Sequence, residues 1–276
     1  MEDKIQLQIL LKEWANETAV AYHKLAKEYD TCNRAFYTQS DLTRLTKSPE
    51  LLILGINPAD RYNCKYDYPI DAEGNKGQIQ NENWGIPNGM TGERLLKGNP
   101  FEQNKSKWRI WKPIEKLFSM SDLSYLLEEG CYAYSNMILY ATKNASMIPS
   151  KALELLPYTF KLIDTLAPSY ILCLGKDNVA NIFRNSIVDI KEIIANKMWI
   201  GKYNQSIVIG LSHPSRGAWN NYYGVSIFSS TANGNFTEFL GRLGFEKSTN
   251  AYSYYGSTPF TSALLSVKYV LSNKKR

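Results

Sequence analysis

The chain has 276 residues, 44% of them hydrophobic, which is enough to bury a substantial core, and we expect one domain spanning residues 1–276. Its formal charge of +6 is mildly basic, so it favours acidic partners such as nucleic acid and excludes a histone-like tail. With neither a signal peptide nor an apolar run of about 20 residues, it is expected in the cytoplasm, or the nucleus of a eukaryote, without a membrane partner.

The first predicted element is an amphipathic helix over residues 3–29, whose apolar stripe has one polar interruption at Thr18. The stripe comprises Leu7, Leu10, Leu11, Trp14, Ala21 and Leu25. A strand follows at residues 50–56. Residues 60–106 then contain many Asn, Gly, Asp and Pro residues with little periodicity, which predicts a long functional or mobile excursion.

The remaining elements alternate between helices and apolar strands. The predicted helices carry Trp108, Trp111, Ile114, Leu117 and Phe118, then cover residues 150–166, and then follow Gly175 in KDNVANIF. The predicted strands lie at residues 131–139, 169–175 and 205–213. Because parallel strands covered on both faces read as continuous apolar runs, we predict a three-layer α/β/α sandwich with a central, mostly parallel four-stranded sheet.

The four cysteines are scattered and include no CxxC pair, so free thiols are expected at Cys32, Cys64, Cys131 and Cys173. No ligand-like clustering supports a zinc or iron–sulfur site. We therefore expect neither a metal nor a cofactor.

Three polar residues lie at or just beyond the carboxyl ends of predicted strands: Asn57, Asn136 and His213. Ligands bind at this end of open α/β sheets, so the three side chains are expected to converge on one crevice. Each residue alone has a structural explanation, as a turn residue, a satisfied core amide or a capping histidine. The set of three is what indicates a site.

The segments around these residues resemble known signature motifs. Gly55-Ile56-Asn57-Pro58 and His213-Pro214-Ser215 are similar to the two motifs of the uracil-DNA glycosylase superfamily, in the mismatch-specific and single-strand-selective branches that carry Asn in the first motif. Ser135-Asn136-Met137, YILCLGKDNVANIF and YYGVSIFSSTAN extend the resemblance over residues 48–245. Ala59 and Arg216 depart from the usual pattern.

The resemblance implies a monomeric DNA-repair hydrolase that flips uracil or a related damaged base out of DNA and cuts its N-glycosidic bond by base excision. Asn57 would position the water and His213 would donate to the departing base. The base would be held by Asn136, Phe101, Gly55, Ile56 and Pro58. The loop that contacts DNA would comprise Ser215, Arg216, Gly217, Ala218 and Trp219.

Some roles stay open within this interpretation. Trp84, Tyr62 and Tyr66 are rivals to Phe101 as the aromatic that stacks on the base, and Trp219 is as well explained by packing of its own loop. Asp60 lies close to Asn57 and would act as a base or cap the following turn.

Two other functions compete with the glycosylase. A non-catalytic module would bind nucleic acid or a modified base on the same fold. Alternatively, Ser215 and His213 would hydrolyse a mononucleotide or small ester, although no glycine-flanked nucleophile turn is present.

Overall fold

The computed structural model describes residues 2–29, 38–58, 91–98, 105–107, 110–119, 124–140, 142, 145–175, 182–183, 186–194, 198–211 and 213. These residues fall into two compact units. The first contains those within 1–105 and 129–171, and the second contains those within 106–128 and 172–276. The described residues contain both helices and the strands of one mixed sheet, so the predicted α/β class is confirmed. The single domain stays a prediction.

The described α-helices are α1 (Glu2–Tyr29), α2 (Gly92–Lys97), α3 (Trp111–Ser119) and α4 (Leu156–Leu166). Short 3-10 helices cover Leu42–Arg44, Lys105–Lys107, Ser124–Leu127, Ala145–Met147 and Ser150–Leu155. The strands are β1 (Leu51–Gly55), β2 (Tyr132–Asn136), β3 (Tyr170–Leu174), β4 (Val188–Ile194), β5 (Met198–Tyr203) and β6 (Ser206–Leu211).

The strands form one mixed sheet in the order β2-β1-β3-β6-β5-β4. β1 and β2 pair in parallel, with Gly55 in register with Asn136, whereas β5 pairs antiparallel with both β4 and β6. All residues of β1, β2 and β3 are buried. Side chains on both faces of this part of the sheet are therefore covered, as their apolar sequences predict.

The predicted count of four strands is wrong, because β4 and β5 form an antiparallel pair that the search for continuous apolar runs missed. Charged residues interrupt both strands, as in VDIKEII and MWIGKY, which is usual where one face of an antiparallel pair meets solvent. The loop between β5 and β6 has two residues, and Asn204 takes a left-handed φ of +49°, which asparagine tolerates well.

Helix α1 buries one face, which includes Leu11, Trp14 and Tyr22. Thr18, the polar interruption, is also buried and donates its hydroxyl hydrogen to Trp14 O at 2.6 Å. Leu10 was expected in the buried stripe but is 38% exposed, because it lies to the side of this face. The Trp14 indole nitrogen donates to Tyr158 O at 2.6 Å, which fixes α1 against α4.

The outer edge of β2 is covered by residues 38–40. The backbone N–H groups of Gln39 and Ser40 donate to Tyr134 O at 3.0 and 2.9 Å, and Tyr134 N–H donates to Ser40 Oγ at 2.8 Å. A sheet edge satisfied in this way does not offer its hydrogen-bonding groups to another chain.

The expected excursion at 60–106 contains α2, although residues 59–90 and 99–104 lie outside the described residues. Helix α2 begins at Thr91, whose hydroxyl accepts a hydrogen bond from Arg94 N–H at 3.2 Å, a usual N-cap contact. This part of the predicted excursion is therefore regular structure. Among the cysteines, Cys131 and Cys173 are free, as predicted, while Cys32 and Cys64 lie outside the described residues.

Candidate ligand-binding site

The chain leaving β1 and the chain leaving β2 lie side by side in the first unit. Met137 N–H donates to Gly55 O and Ile138 N–H donates to Ile56 O, both at 2.8 Å, and Thr142 N–H donates to Pro58 O at 3.1 Å. The parallel ladder therefore continues beyond the strands. Polar side chains at these positions are held on a backbone whose hydrogen bonds are already made.

Asn57 is tied down by the nitrogen of its side chain. Asn57 Nδ2 donates to Thr142 Oγ1 at 2.7 Å, to Pro58 O at 3.1 Å and to Tyr140 O at 3.2 Å. Two of these partners are carbonyls and can only accept, so the nitrogen must face them and the oxygen must face away. Asn57 is half-buried, and within the described part of the chain no group donates to its Oδ1 atom. It therefore presents an acceptor.

Asn136, at the end of β2, is only 2% exposed and lies directly over Gly55. A β-carbon placed on residue 55 would come within 2.5 Å of Asn136 Oδ1, so only glycine leaves room for this carboxamide. Asn136 Nδ2 is buried without a hydrogen-bond partner among the described residues. An unmade hydrogen bond of a buried amide is costly, about 1–3 kcal/mol, and calls for an explanation.

The described contacts of this pair are with uncharged groups. Tyr134 Oη lies 3.7 Å from the position that a β-carbon on Gly55 would occupy, and burial raises the pKa of this tyrosine, so its hydroxyl stays neutral. The groups that hold Asn57 are two carbonyls and a hydroxyl. The arrangement offers one acceptor from Asn57 and one donor from Asn136, and neither atom has an ionised partner among the residues that the structure describes.

His213 belongs to the second unit and follows β6 by two residues. Its Cβ lies 3.8 Å from the position of a β-carbon on Gly175, where φ is +103°, and Gly175 N–H donates to Leu211 O at 2.8 Å. Desolvation by burial lowers the pKa of His213, so its imidazole is neutral at pH 7. The predicted meeting of His213 with Asn57 and Asn136 stays a prediction.

Several predicted site residues lie outside the described residues. These are Phe101 with its rivals Tyr62, Tyr66 and Trp84, then Ala59 and Asp60, and the loop residues Ser215, Arg216, Gly217, Ala218 and Trp219. Ile56 and Pro58 are described, and both contribute backbone carbonyls that join the two strand exits. Their predicted contact with a base is not tested.

Sequence reasoning missed the residues that hold Asn57. Thr142 is buried and provides the shortest of the three hydrogen bonds, and Tyr140 contributes a backbone carbonyl. The sequence feature that could have identified Thr142 is its hydroxyl in the segment LYATKN, directly after the strand predicted at residues 131–139. No pattern in the sequence signals the carbonyl of Tyr140. Among the described residues, no group of three or more His, Cys, Asp or Glu side chains is placed to share a metal ion.

Comparison with known families gives one match. The model of a family described as bacterial membrane protein YfhO matches residues 215–276, all of which lie outside the described residues. No curated protein matches the chain. Within the part of the chain that the structure describes, none of the helices has both the length and the apolar character that a membrane crossing requires.

This match overturns the expected identity. Membership of the uracil-DNA glycosylase superfamily is wrong, since the family match is to membrane proteins and includes the loop that was assigned to DNA contact. The same match contradicts the functional predictions, namely base excision in DNA repair and the nucleic-acid-binding alternative. It also contradicts the predictions of a DNA partner, of no membrane partner and of a cytoplasmic or nuclear location.

The error has a physical cause. The two signature motifs are only four and three residues long, and local packing accounts for the first of them, at the end of β1. Gly55 is needed to admit the Asn136 carboxamide, and Asn57 joins three acceptors from two strand exits. Such motifs indicate how the strands end, and they do not by themselves specify a reaction.

Proposed function

We propose that the exits of β1 and β2 form a binding site for a small uncharged ligand that carries a carbonyl oxygen. The observation that carries this proposal is the buried Asn136 Nδ2 atom, which has no partner among the described residues. A ligand carbonyl would accept from this atom and so remove the desolvation penalty of about 1–3 kcal/mol that the unliganded protein bears.

The orientation of Asn57 supports a narrower ligand class. Asn57 Oδ1 faces away from its three tethers and would accept a hydrogen bond from an N–H group. Together, the donor of Asn136 and the acceptor of Asn57 would match a ligand that carries an acceptor and a donor side by side, as in carboxamides and lactams. A carboxylate would bind less well, because the contacts of this pair with described residues include no cation to offset its desolvation.

We also propose that the protein is a hydrolase that cleaves the carbonyl compound bound at this site. Asn57 Oδ1 would hold a water molecule, and Asn136 Nδ2 would stabilise negative charge that develops on the carbonyl oxygen. Asn57 cannot take the proton of that water, because a neutral carboxamide is a very weak base, so the proton would pass to solvent. We also propose helices on both faces of the sheet, in three layers, which the full burial of β1, β2 and β3 supports.

Ligand binding is tested by calorimetric titration of the full chain with 2-pyrrolidone, nicotinamide and acetamide, and with alcohols and carboxylates of matched size. We expect the amides and lactams to bind best and Asn136→Ala to weaken them at least about tenfold. Ser135→Ala is the matched control, since Ser135 Oγ is also buried without a partner among the described residues but lies on the other face of β2. Failure of every amide to bind, or an equal loss in Ser135→Ala, would refute the site.

Hydrolysis is tested with the same compounds and their ester analogues by following product formation with NMR. Asn57 Oδ1 has two lone pairs and would accept from both the ligand N–H and the water, so Asn57→Ala is expected to raise KM and lower kcat for the amides. For the ester analogues, which lack the N–H, it is expected to lower kcat more than it raises KM. Binding without any product in the wild-type protein would restrict the proposal to a binding site.

We also propose that the chain associates with membranes, which the match of residues 215–276 to a membrane protein family supports. In this segment the stretch ALLSVKYVL, residues 263–271, is apolar except for Ser266 and Lys268 and is followed by Lys274, Lys275 and Arg276. Basic residues beside an apolar run favour anionic lipid surfaces.

Flotation of the full chain with phosphatidylcholine vesicles, with and without phosphatidylglycerol, tests this association. The chain is expected to float with the anionic vesicles, and Lys274→Glu with Lys275→Glu to reduce the floating fraction. Lys12→Glu with Lys47→Glu changes the charge equally at exposed sites of the first unit and is the control. A chain that stays at the bottom with both vesicle types contradicts membrane association.

A further inference from the structure

A closed ring of hydrogen bonds joins Asn57 to Thr142 at the exits of β1 and β2. Asn57 Nδ2 donates to Thr142 Oγ1 at 2.7 Å and to Pro58 O at 3.1 Å. Pro58 O also accepts from the backbone N–H of Thr142 at 3.1 Å, which closes the ring. We refer to Asn57, Pro58 and Thr142 as the Asn57 clamp. Thr142 therefore holds the exit of β1 through its backbone and its side chain together.

One bond of the clamp can be removed without altering the backbone, namely the bond to the Thr142 hydroxyl. The other two described partners of Asn57 Nδ2 are the backbone carbonyls of Pro58 and Tyr140, at 3.1 and 3.2 Å. The bond to Thr142 is the shortest of the three, and Thr142 is only 1% exposed. A hydrogen bond that is screened from water is electrostatically stronger, so the Thr142 hydroxyl is the principal tether of the carboxamide.

The tether matters because the end of an asparagine side chain rotates readily. The terminal torsion of asparagine has a broad, roughly two-fold preference, so an untethered carboxamide presents either its oxygen or its nitrogen at little cost. In the Asn57 clamp the nitrogen is held, and Oδ1 faces away from the tethers. A carboxamide that turns away from this orientation takes the acceptor away from a ligand N–H group.

We propose that Thr142 is a positioning residue of the ligand site, which fixes the Asn57 carboxamide so that Oδ1 accepts from the N–H group of the ligand. This inference rests on the proposed function. It implies that the site prefers a lactam to a ketone of the same ring size, and that this preference depends on the Thr142 hydroxyl. Both compounds carry the carbonyl oxygen, and the lactam alone carries the N–H group.

Calorimetric titration of the full chain with 2-pyrrolidone and cyclopentanone measures this preference as a ratio of two affinities. Thr142→Val keeps the shape of the side chain and removes the hydroxyl, so the ratio is expected to fall about fivefold, whereas Thr142→Ser keeps the hydroxyl and the ratio. A ratio within one variant is insensitive to a general loss of stability. Thr159→Val is the matched control with an unchanged ratio, since Thr159 is also fully buried but donates to Met137 O at 2.7 Å.

The clamp is also measured without a ligand, by the rate at which the hydrogens of the Asn57 side-chain amide exchange with water. Their NMR signals are identified by their absence in Asn57→Ala. Exchange is expected to be about fivefold faster in Thr142→Val, because a hydrogen bond that protects the amide is lost. Thr142→Ser and Thr159→Val are expected to exchange at the wild-type rate.

The outcomes separate the two proposals. If the wild-type chain binds neither compound, the proposed function fails, and the exchange rates still decide whether Thr142 holds Asn57. If the chain prefers the lactam but Thr142→Val keeps the wild-type ratio, or Thr159→Val lowers it equally, the role of Thr142 is refuted and the ligand site stands. Equal affinity of the wild-type chain for both compounds refutes the N–H contact and the role of Thr142 together. Thr142→Ala replaces Thr142→Val if the latter does not fold, with the same expected results.

Discussion

Substitution of Gly55 by alanine tests whether this glycine exists to admit the Asn136 carboxamide. The added β-carbon would lie 2.5 Å from Asn136 Oδ1, closer than unbonded carbon and oxygen atoms approach, so the buried carboxamide must move. Adding a methyl group to a packed core costs about 1–3 kcal/mol. Replacing a strand glycine by alanine also stabilises the fold by about 0.5–1 kcal/mol, because alanine loses less backbone entropy on folding. We therefore expect a net loss of about 1–2 kcal/mol in unfolding free energy.

A double-mutant cycle isolates the contact. In the Asn136→Ala background the clashing oxygen is absent and Tyr134 Oη, at 3.7 Å, is at ordinary contact distance, so Gly55→Ala should cost nothing or stabilise slightly. The unfolding free energies of the four proteins are measured in urea by tryptophan fluorescence. A coupling of about 1–2 kcal/mol is expected. Equal costs of Gly55→Ala in the two backgrounds would show that the glycine serves another purpose.

Two further substitutions probe the second unit's histidine and the end of α4. Burial lowers the pKa of His213 in the folded protein below its ordinary value of about 6.5. Between the folded and unfolded pKa values the unfolded chain therefore binds more protons. The contribution of His213 to the unfolding free energy is fully present above about pH 6.5 and is lost as the pH falls through the folded pKa. His213→Gln should flatten urea-derived stability between pH 5 and about 6.5, and an unchanged slope would contradict this assignment. Ala167, the C-cap of α4, has a left-handed φ of 42°, so Ala167→Gly should raise Tm by about 2–4 °C in calorimetry, and a lower Tm would contradict the strain.

The buried strands were the most predictable part of the fold. An apolar run that ends in glycine placed the first strand at residues 50–56, and β1 spans Leu51–Gly55. Burial on both faces removes the alternation of polar and apolar residues, so the sequence of such a strand is unambiguous. The β4–β5 pair was missed because charged residues interrupt both of its strands. A search for continuously apolar runs therefore does not find them.

The candidate site was predictable in its positions and not in its contacts. Asn57 and Asn136 lie at or just beyond the ends of β1 and β2, where the order of elements predicts them. Two of the groups that hold Asn57 belong to Tyr140 and Thr142, which follow it by 83 and 85 positions in the sequence. No local pattern encodes contacts over such a separation. Short motifs at strand ends meet a steric need that many folds share, which is why they gave a wrong family.

The exit of β2 is anchored by side chains of two helices. Leu139 N–H donates to Tyr22 Oη on α1 at 3.0 Å, and Thr159 Oγ1 on α4 donates to Met137 O at 2.7 Å. The first of these bonds joins residues 117 positions apart, so the backbone beside Asn136 is supported by a helix from the other end of the first unit's sequence. A shortened chain that begins after α1 would retain both asparagines and lose the support that aims them, so engineering of this protein must preserve that helix.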